Sequence, residues 1–333
     1  MKEKISVIVP IYNAESFLEK CLTSLQCQTH ENLQILLIDD GSTDGSGEIC
    51  RRYAAEDSRF EYHHQENRGV SAARNLGLDL ARGEFVGFCD SDDWVDTDFF
   101  EALYRLVCEQ DADISIVSLV REDGVNPAAI PADDPVVYTF TGREAIAEMH
   151  RGGKFGGILC NKLFRRTLLD GLRLREDVVI FEDMLIVWHL FHRAKKVAFR
   201  RQHKYHYLTN PRSALRREFR ESLWTGFAAV QEIYQKTQTH YPEDIDYARR
   251  TLIYDSYWFA EKLAVAGKLT KEKYAFLSEQ FDCHYNDAVE AMFSSRQKAK
   301  FGIFRRGRGV FLIYMGIVKG YRRLGLWLTD LRK

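Results

Sequence analysis

Three carboxylates crowd into four positions at Asp90-Ser91-Asp92-Asp93, directly after the apolar run Phe85-Val86-Gly87-Phe88. Like charges this close repel one another unless a cation sits among them. Hard divalent ions prefer oxygen ligands and usually take only one or two from protein, leaving the rest of the shell to water and phosphates. An Asp-x-Asp at a strand's end can thus hold such an ion against a diphosphate. The same residues also read as a solvated acidic turn that caps the next helix. A second acidic pair, Asp39-Asp40, opens onto Gly41-Ser42-Thr43-Asp44-Gly45. Gly41 makes a turn there, and one Ser, Thr or Asp caps the helix beyond. Two consecutive Asp cannot both serve that cap, so one is left to accept from a ligand N–H. Tyr12, after Pro10, is either a core aromatic or a flat surface on which a base stacks. Asn67-Arg68-Gly69-Val70-Ser71-Ala72-Ala73-Arg74-Asn75 sets two Arg near a helix start. Their alternatives are plain solvation and pairing with phosphate, which guanidinium geometry and the positive helix end both favour. Glu182-Asp183 opens an apolar helix, a place where the macrodipole alone favours acids.

The elements that must position these residues follow from hydrophobic patterning. Ile5–Val9, Leu33–Ile38, 60–63, 85–89 and Ile114–Leu119 read as strands. Between them, helical spacing recurs at 17–25, 45–55, from Ser71 and at 97–109. Such alternation implies a mostly parallel sheet covered on both faces. Ligands in these sheets sit beyond the carboxyl ends of the strands. Tyr12-Asn13, Asp39-Asp40 and Asp90–Asp93 should therefore converge on one crevice. Residues 121–135 carry three of the six prolines and read as a loop or linker. The stretch 140–213 mixes strand and helix, and 215–292 is patterned as helix throughout.

The order V-I-V-P-x-Y-N, D-D-G-S-T-D, N-x-G-x-S-x-A-R-N-x-G, G-E-F-x-x-F-x-D-S-D-D and F-E-D resembles the family 2 glycosyltransferases. The resemblance covers roughly residues 4–213. It implies an α/β chain with the GT-A (Rossmann-like) fold, a mostly parallel sheet flanked by helices, followed by a helical C-terminal region. The expected organisation is 1–213 for the nucleotide-sugar-binding and catalytic domain, 214–295 for a helical region and 296–333 for a basic amphipathic tail. The implied activity is inverting, metal-dependent transfer of a hexose or N-acetylhexosamine from a UDP-sugar to a growing cell-surface glycan. Capsule, exopolysaccharide and teichoic-acid acceptors all fit, lipid-linked ones among them. A protein acceptor, or a non-catalytic nucleotide-sugar-binding partner, are the other readings of the same motifs.

Carried over residue by residue, the resemblance sets Pro10, Tyr12 and Asn13 at the uracil and ribose. Asp40 would accept from the uracil N–H, with Asp39 beside it. Asn67, Arg74 and Asn75 would lie near the diphosphate and sugar, with Ser91 in the same nucleotide-sugar site. Asp90 and Asp92 would hold Mn²⁺ or Mg²⁺, with Asp92 the direct ligand and Asp93 facing the donor sugar or acceptor. Asp183 matches the catalytic base, and Glu182, Asn161 and Lys162 the acceptor side. Tyr207, Arg212 and Ser213 resemble a segment that closes over the pyrophosphate.

Other classes fit less well. A phosphatase of the haloacid dehalogenase type wants Thr or Val where Trp94 stands. The first strand is followed by P-I-Y-N-A-E rather than G-x-G-x-x-G, and no Walker A sequence occurs. Hydrophobic residues make up 45% of the chain, with Phe 21 and Tyr 16, which excludes global disorder. Seven scattered cysteines without C-x-x-C suggest neither a zinc ribbon nor a redox pair and fit a reducing cytosol. The start, MKEKISVIVP, reads as a first strand rather than a signal peptide.

The net charge of -1 argues against a nucleic-acid-coating protein, yet it hides an asymmetry. Residues 296–333 hold eleven Lys/Arg against one acid, Asp330, so this end carries +10 and the remainder −11. Its apolar run Val310–Val318 is about half a membrane span. Phe311, Tyr314, Val318, Tyr321 and Leu328 recur at helical spacing, beside Lys319, Arg322, Arg323 and Trp327. The expectation is a peripheral enzyme at the inner face of the cell membrane, held to anionic lipid through 301–333. A terminal helix packed on the helical region or in a homodimer is the alternative.

Overall fold

The computed structural model describes residues 2–122, 132–209 and 220–323, with backbone alone for 321–323. The chain divides into two compact units, Met1–Arg216 and Arg217–Lys333.

The first unit contains β1 (Ile5–Ile11), α1 (Glu15–Gln26), β2 (Leu33–Asp40), α2 (Ser46–Glu56), β3 (Phe60–Gln65), α3 (Val70–Leu80) and β4 (Phe85–Phe88). It continues through β5 (Trp94–Val95), α4 (Phe99–Glu109), β6 (Ile114–Glu122), β7 (Val137–Phe140), α5 (Gly142–Arg151), β8 (Lys162–Arg165), α6 (Glu182–Arg193) and β9 (Val197–Leu208). β1 and β2 are buried at every position, which is why they are unbroken apolar runs rather than alternating ones. α1 buries Leu18, Cys21, Leu22 and Leu25, one stripe at three- and four-residue spacing.

The sheet runs β3-β2-β1-β4-β8-β6-β9-β5, with β7 also on β9. Its first four strands are parallel, as the alternation predicts. The other half is mixed. β8 lies antiparallel between β4 and β6, while β9 runs parallel to β6. Because β8 is reversed, its beginning rather than its end stands at the carboxyl edge of β1–β4. The end of β9 reaches that same edge. The stretch 121–135 is no boundary between units, since β6 extends to Glu122 and β7 joins the same sheet. Residues 123–131 lie outside the described residues.

The second unit is helical across its described residues: α7 (Trp224–His240), α8 (Ile245–Val265), α9 (Lys271–His284), α10 (Asp287–Ala291), α11 (Ser295–Arg305) and α12 (Arg308–Arg323), with short 3-10 turns before α7 and α8. Local chemistry sets the starts. Thr270 accepts from Lys273 N at the start of α9, and Ser294 with Gln297 forms a full capping box on α11. Phe227, Phe259, Phe281, Phe301 and Phe304 supply a buried aromatic core. Among the described residues no helix is long and apolar enough to cross a membrane.

Candidate active site

β1, β2, β3 and β4 end side by side, with Ile11 paired to Asp39, Asp40 to Gln65 and Ile8 to Phe88. Pro10 is buried in β1. Tyr12 follows it into the open and is 54% exposed. Asn13 takes a left-handed φ of 48°, its N–H donating to Ser42 Oγ (3.1 Å) and its Oδ1 accepting from Thr43 N (2.8 Å). These bonds tie the exit of β1 to that of β2. Gly41 turns at φ 75°, and a Cβ there would meet Asn67 N at 2.8 Å, so glycine is required.

Both acids at the end of β2 turn inward. Asp39 accepts from Ser42 N (2.9 Å) and Tyr62 OH (2.8 Å), with His64 Nδ1 at 3.1 Å. Burial alone would raise its pKa, but the bonds from Ser42, His64 and Tyr62 outweigh that and hold it below the ordinary value. Asp40 accepts from Gln65 Nε2 (2.6 Å), Arg68 N (2.9 Å) and Gly69 N (2.8 Å), which fixes the loop into α3. Counting helix caps therefore misjudges this pair, because the donors come from β3 and the next loop. Asn67 is exposed on that loop, and Arg68 pairs with Glu176 at 2.8 Å.

The centre of the edge is Arg74. α3 lies close on β1, since a Cβ at Gly77 would clash with the Ile8 side chain. From there the buried guanidinium reaches Asp90 Oδ1 (2.8 Å), Asp183 Oδ1 (2.7 Å) and Glu182 Oε1 (3.1 Å). Burial disfavours its charge, but Asp183, Asp90 and Glu182 together hold its pKa above the ordinary value. Its Nε has no hydrogen-bond partner among the described residues. Arg74, expected near the diphosphate, thus shares its charge among three carboxylates, one of them Asp90 of the Asp-x-Asp. Asn75 likewise points to backbone, donating to Leu174 O (2.9 Å) and accepting from Leu174 N (2.9 Å).

Glu182 and Asp183 open α6 immediately after Phe181, a non-glycine residue at φ 65°. Such a backbone costs free energy and persists only where its surroundings impose it, which marks functional sites. Burial and then the Asp90 charge raise the Asp183 pKa against the pull of Arg74. Burial and the Asp183 charge push Glu182 up to about 7. The second oxygen of Asp183 faces Leu159 N at 3.4 Å.

The loop that carries Leu159 is held by two residues expected on the acceptor side. Lys162 is wholly buried and spends its three donors on Ile158 O (2.6 Å), Asn161 Oδ1 (2.9 Å) and Gly156 O (3.0 Å). Burial lowers its pKa to about 7. Asn161 donates to Val117 O at 2.6 Å. Both residues shape the loop beside Asp183 and turn away from open space.

Among the Asp-x-Asp residues, Asp90, Ser91 and Asp92 are half-buried. Asp93 is 1% exposed and accepts from Tyr205 OH (2.6 Å) and Leu208 N (2.7 Å), so it does not face a sugar. Burial and Asp90 push its pKa up to about 8. Tyr207 is pushed up to about 12 by burial and then by Asp93. Arg212 and Ser213 lie outside the described residues.

Ligating atoms of Asp90, Asp93 and Cys160 lie within 4.8 Å of one another. This trio suits a hard cation poorly. Cys160 is a buried thiol whose pKa is raised well above normal, so it stays protonated and soft. Asp93 already serves two donors. Asp90 and Asp92 are the half-buried carboxylates of this turn that could offer hard oxygens to Mn²⁺ or Mg²⁺.

A model of the family described as Glycosyl transferase family 2 matches residues 6–173. EpsH of Bacillus subtilis (strain 168), named as a glycosyltransferase, is 33% identical over 231 residues, covering 68% of this chain and 67% of EpsH. The minor teichoic acid biosynthesis protein GgaB of the same organism is 31% identical over 220 residues, covering 61% of this chain and 22% of GgaB. Among solved structures, S. aureus TarS 1-349 in complex with UDP aligns with a TM-score of 0.67 at 19% identity, covering 97% of this chain and 92% of that one. At that identity the likeness speaks for the fold alone.

Proposed function

Because this chain belongs to glycosyl transferase family 2, we propose that it moves a hexose or N-acetylhexosamine from a UDP-sugar to a hydroxyl of a growing cell-surface glycan, with inversion at the anomeric carbon. The observation that carries the reading is the Arg74 junction. One buried guanidinium ties Asp90 to Glu182 and Asp183, so the leaving-group side and the base side keep a fixed spacing. An inverting transfer needs that arrangement, with charge stabilisation on one side and a base on the other.

Tyr12 offers its ring as the stacking surface for the base, at an exit fixed by Asn13, Asp39 and Asp40. Asp90 and Asp92 would hold Mn²⁺ or Mg²⁺, which when bound supplies Lewis-acid neutralisation of charge on the departing UDP. Asp183 takes the proton of the acceptor hydroxyl, and its raised pKa brings it nearer the working pH of a base. Arg74, Lys162 and Asn161 act through Asp183 as positioning residues. A teichoic-acid or related envelope glycan as acceptor is supported by the likeness to GgaB. A uridine donor is supported by the likeness to TarS, solved with UDP and with UDP-GlcNAc. The acidic body and basic C-terminal end suit work at the inner face of a membrane, where lipid-linked acceptors are found.

Calorimetry tests the donor site. UDP with Mn²⁺ should bind, chelator should weaken that binding, and Asp92→Ala should remove most of it. Equal UDP affinity with and without Asp92 would sink the assignment.

A further inference from the structure

The rotation of α12 about its own axis is fixed by what it packs on. Phe311 and Met315 are buried, and the Phe311 ring lies 5.7 Å from Tyr257 of α8 and 5.2 Å from Phe304 of α11. Arg308 Nε donates to Leu269 O (2.8 Å) and Lys319 Nζ to Val265 O (3.0 Å). Tyr314 and Val318 lie half-buried beside that seam. The stripe that sequence periodicity picks out as apolar, Phe311–Tyr314–Val318, is thus the one that packs on protein. Leu328 and Trp327 lie outside the described residues.

The opposite face is the unexpected one. Val310, Ile313 and Ile317 recur at intervals of three and four and are 42%, 69% and 55% exposed. Gly316 between them and Gly309 and Gly320 on either side are exposed too, and none brings a polar side chain to the stripe. Cations bracket it. Arg306 stands exposed at one end, beside Arg305, which is paired with Asp282 at 2.9 Å, and Lys319 stands exposed at the other, with Arg322 and Arg323 following in sequence. No Asp or Glu occurs between Glu290 and Asp330.

We propose that the Val310–Ile313–Ile317 face docks on an anionic lipid surface. A second copy of the chain is the competing occupant, and charge decides against it. Both ends of the helix are basic, so parallel and antiparallel pairing alike set cation against cation; Asp282 of α9 pairs with Arg305, and residues 291–329 hold no acid for the others. An anionic bilayer accepts the β-branched side chains at its acyl boundary and offers phosphates to the arginines and lysines around them. The proposal deepens the functional reading above, on which it rests only for what the docked enzyme meets there.

The test is flotation of the full chain with phosphatidylcholine vesicles, with and without phosphatidylglycerol, at low and high salt. The unaltered chain should float with the anionic vesicles at low salt and lose most of that binding at high salt. Ile313→Asp with Ile317→Asp should lower partition by at least about tenfold. Arg306→Gln, which leaves the apolar stripe intact, should weaken anionic binding alone. Sedimentation velocity and UDP calorimetry on the same proteins separate the alternatives. Unchanged UDP affinity in the double variant keeps the donor-site reading independent of this one. Failure of the unaltered chain to float, equal flotation of the double variant, or a dimer that only the double variant loses would each overturn lipid docking.

Discussion

At the scale of single residues, Arg74 is the group on which the site depends. Its guanidinium serves carboxylates 16, 108 and 109 positions away. A lysine at that place is a compact point charge and cannot fork across three acceptors. Arg74→Lys should therefore keep the fold but lower stability by about 3 kcal/mol. It should also cost at least about a hundredfold in transfer, because Asp183 loses its fixed position. A thermal melt and an initial rate both near those of the unaltered chain would refute the role. Asp90, Glu182, Asp183 and Arg74 all stand out in the sequence by residue type and position. Their junction does not, because nothing local reports a partner a hundred residues away. Asn75, Asp93, Asn161 and Lys162 are the other side of that limit. Each is polar and close to a motif, yet each satisfies backbone or a tyrosine inside the fold. Which buried carbonyl needs a donor is a property of the folded loop, and the residue order does not contain it.

At the scale of elements, long apolar runs made β1, β2 and β6 legible, and helical spacing did the same for α1, α3 and α4. The two-residue β5 and the four-residue β7 are too short to carry a period. β8 escaped for a different reason. Its direction depends on the irregular loop before it, whose shape is set by the buried Lys162 ammonium. Helical patterning predicts α8 well but passes over Asp255 in the middle of it. That carboxyl is 7% exposed, and burial pushes its pKa up to about 7. The folded chain then holds a proton that the unfolded chain, with an aspartate pKa of about 3.9, has released. The stability linked to Asp255 is thus complete below about pH 4 and lost as pH rises through about 7. Urea denaturation at about pH 4 and about pH 8 should show the unaltered chain losing up to a few kcal/mol that Asp255→Asn retains. The same pH dependence in both proteins would remove Asp255 as the cause.

At the scale of the whole molecule, the residues proposed for donor binding and for the base lie in the first unit, and the basic, apolar-faced helix in the second. The order of motifs along the chain made the family readable, since five weak signals in sequence exclude what each alone admits. The likeness to TarS over 97% of this chain extends to the helical region, where the motifs fall silent. Proton NMR of a panel of α-linked UDP-sugars with Mn²⁺ bears most directly on the central claim, which joins UDP-sugar cleavage to Asp183. Water serves as acceptor, and the anomer released first reports the stereochemistry. The account predicts that the β anomer appears first from whichever sugar is turned over. It also predicts that Asp183→Asn slows the release by roughly 10²–10⁴-fold, while calorimetric UDP affinity is unchanged. Release of the α anomer first, or a near-normal rate in Asp183→Asn, would contradict it.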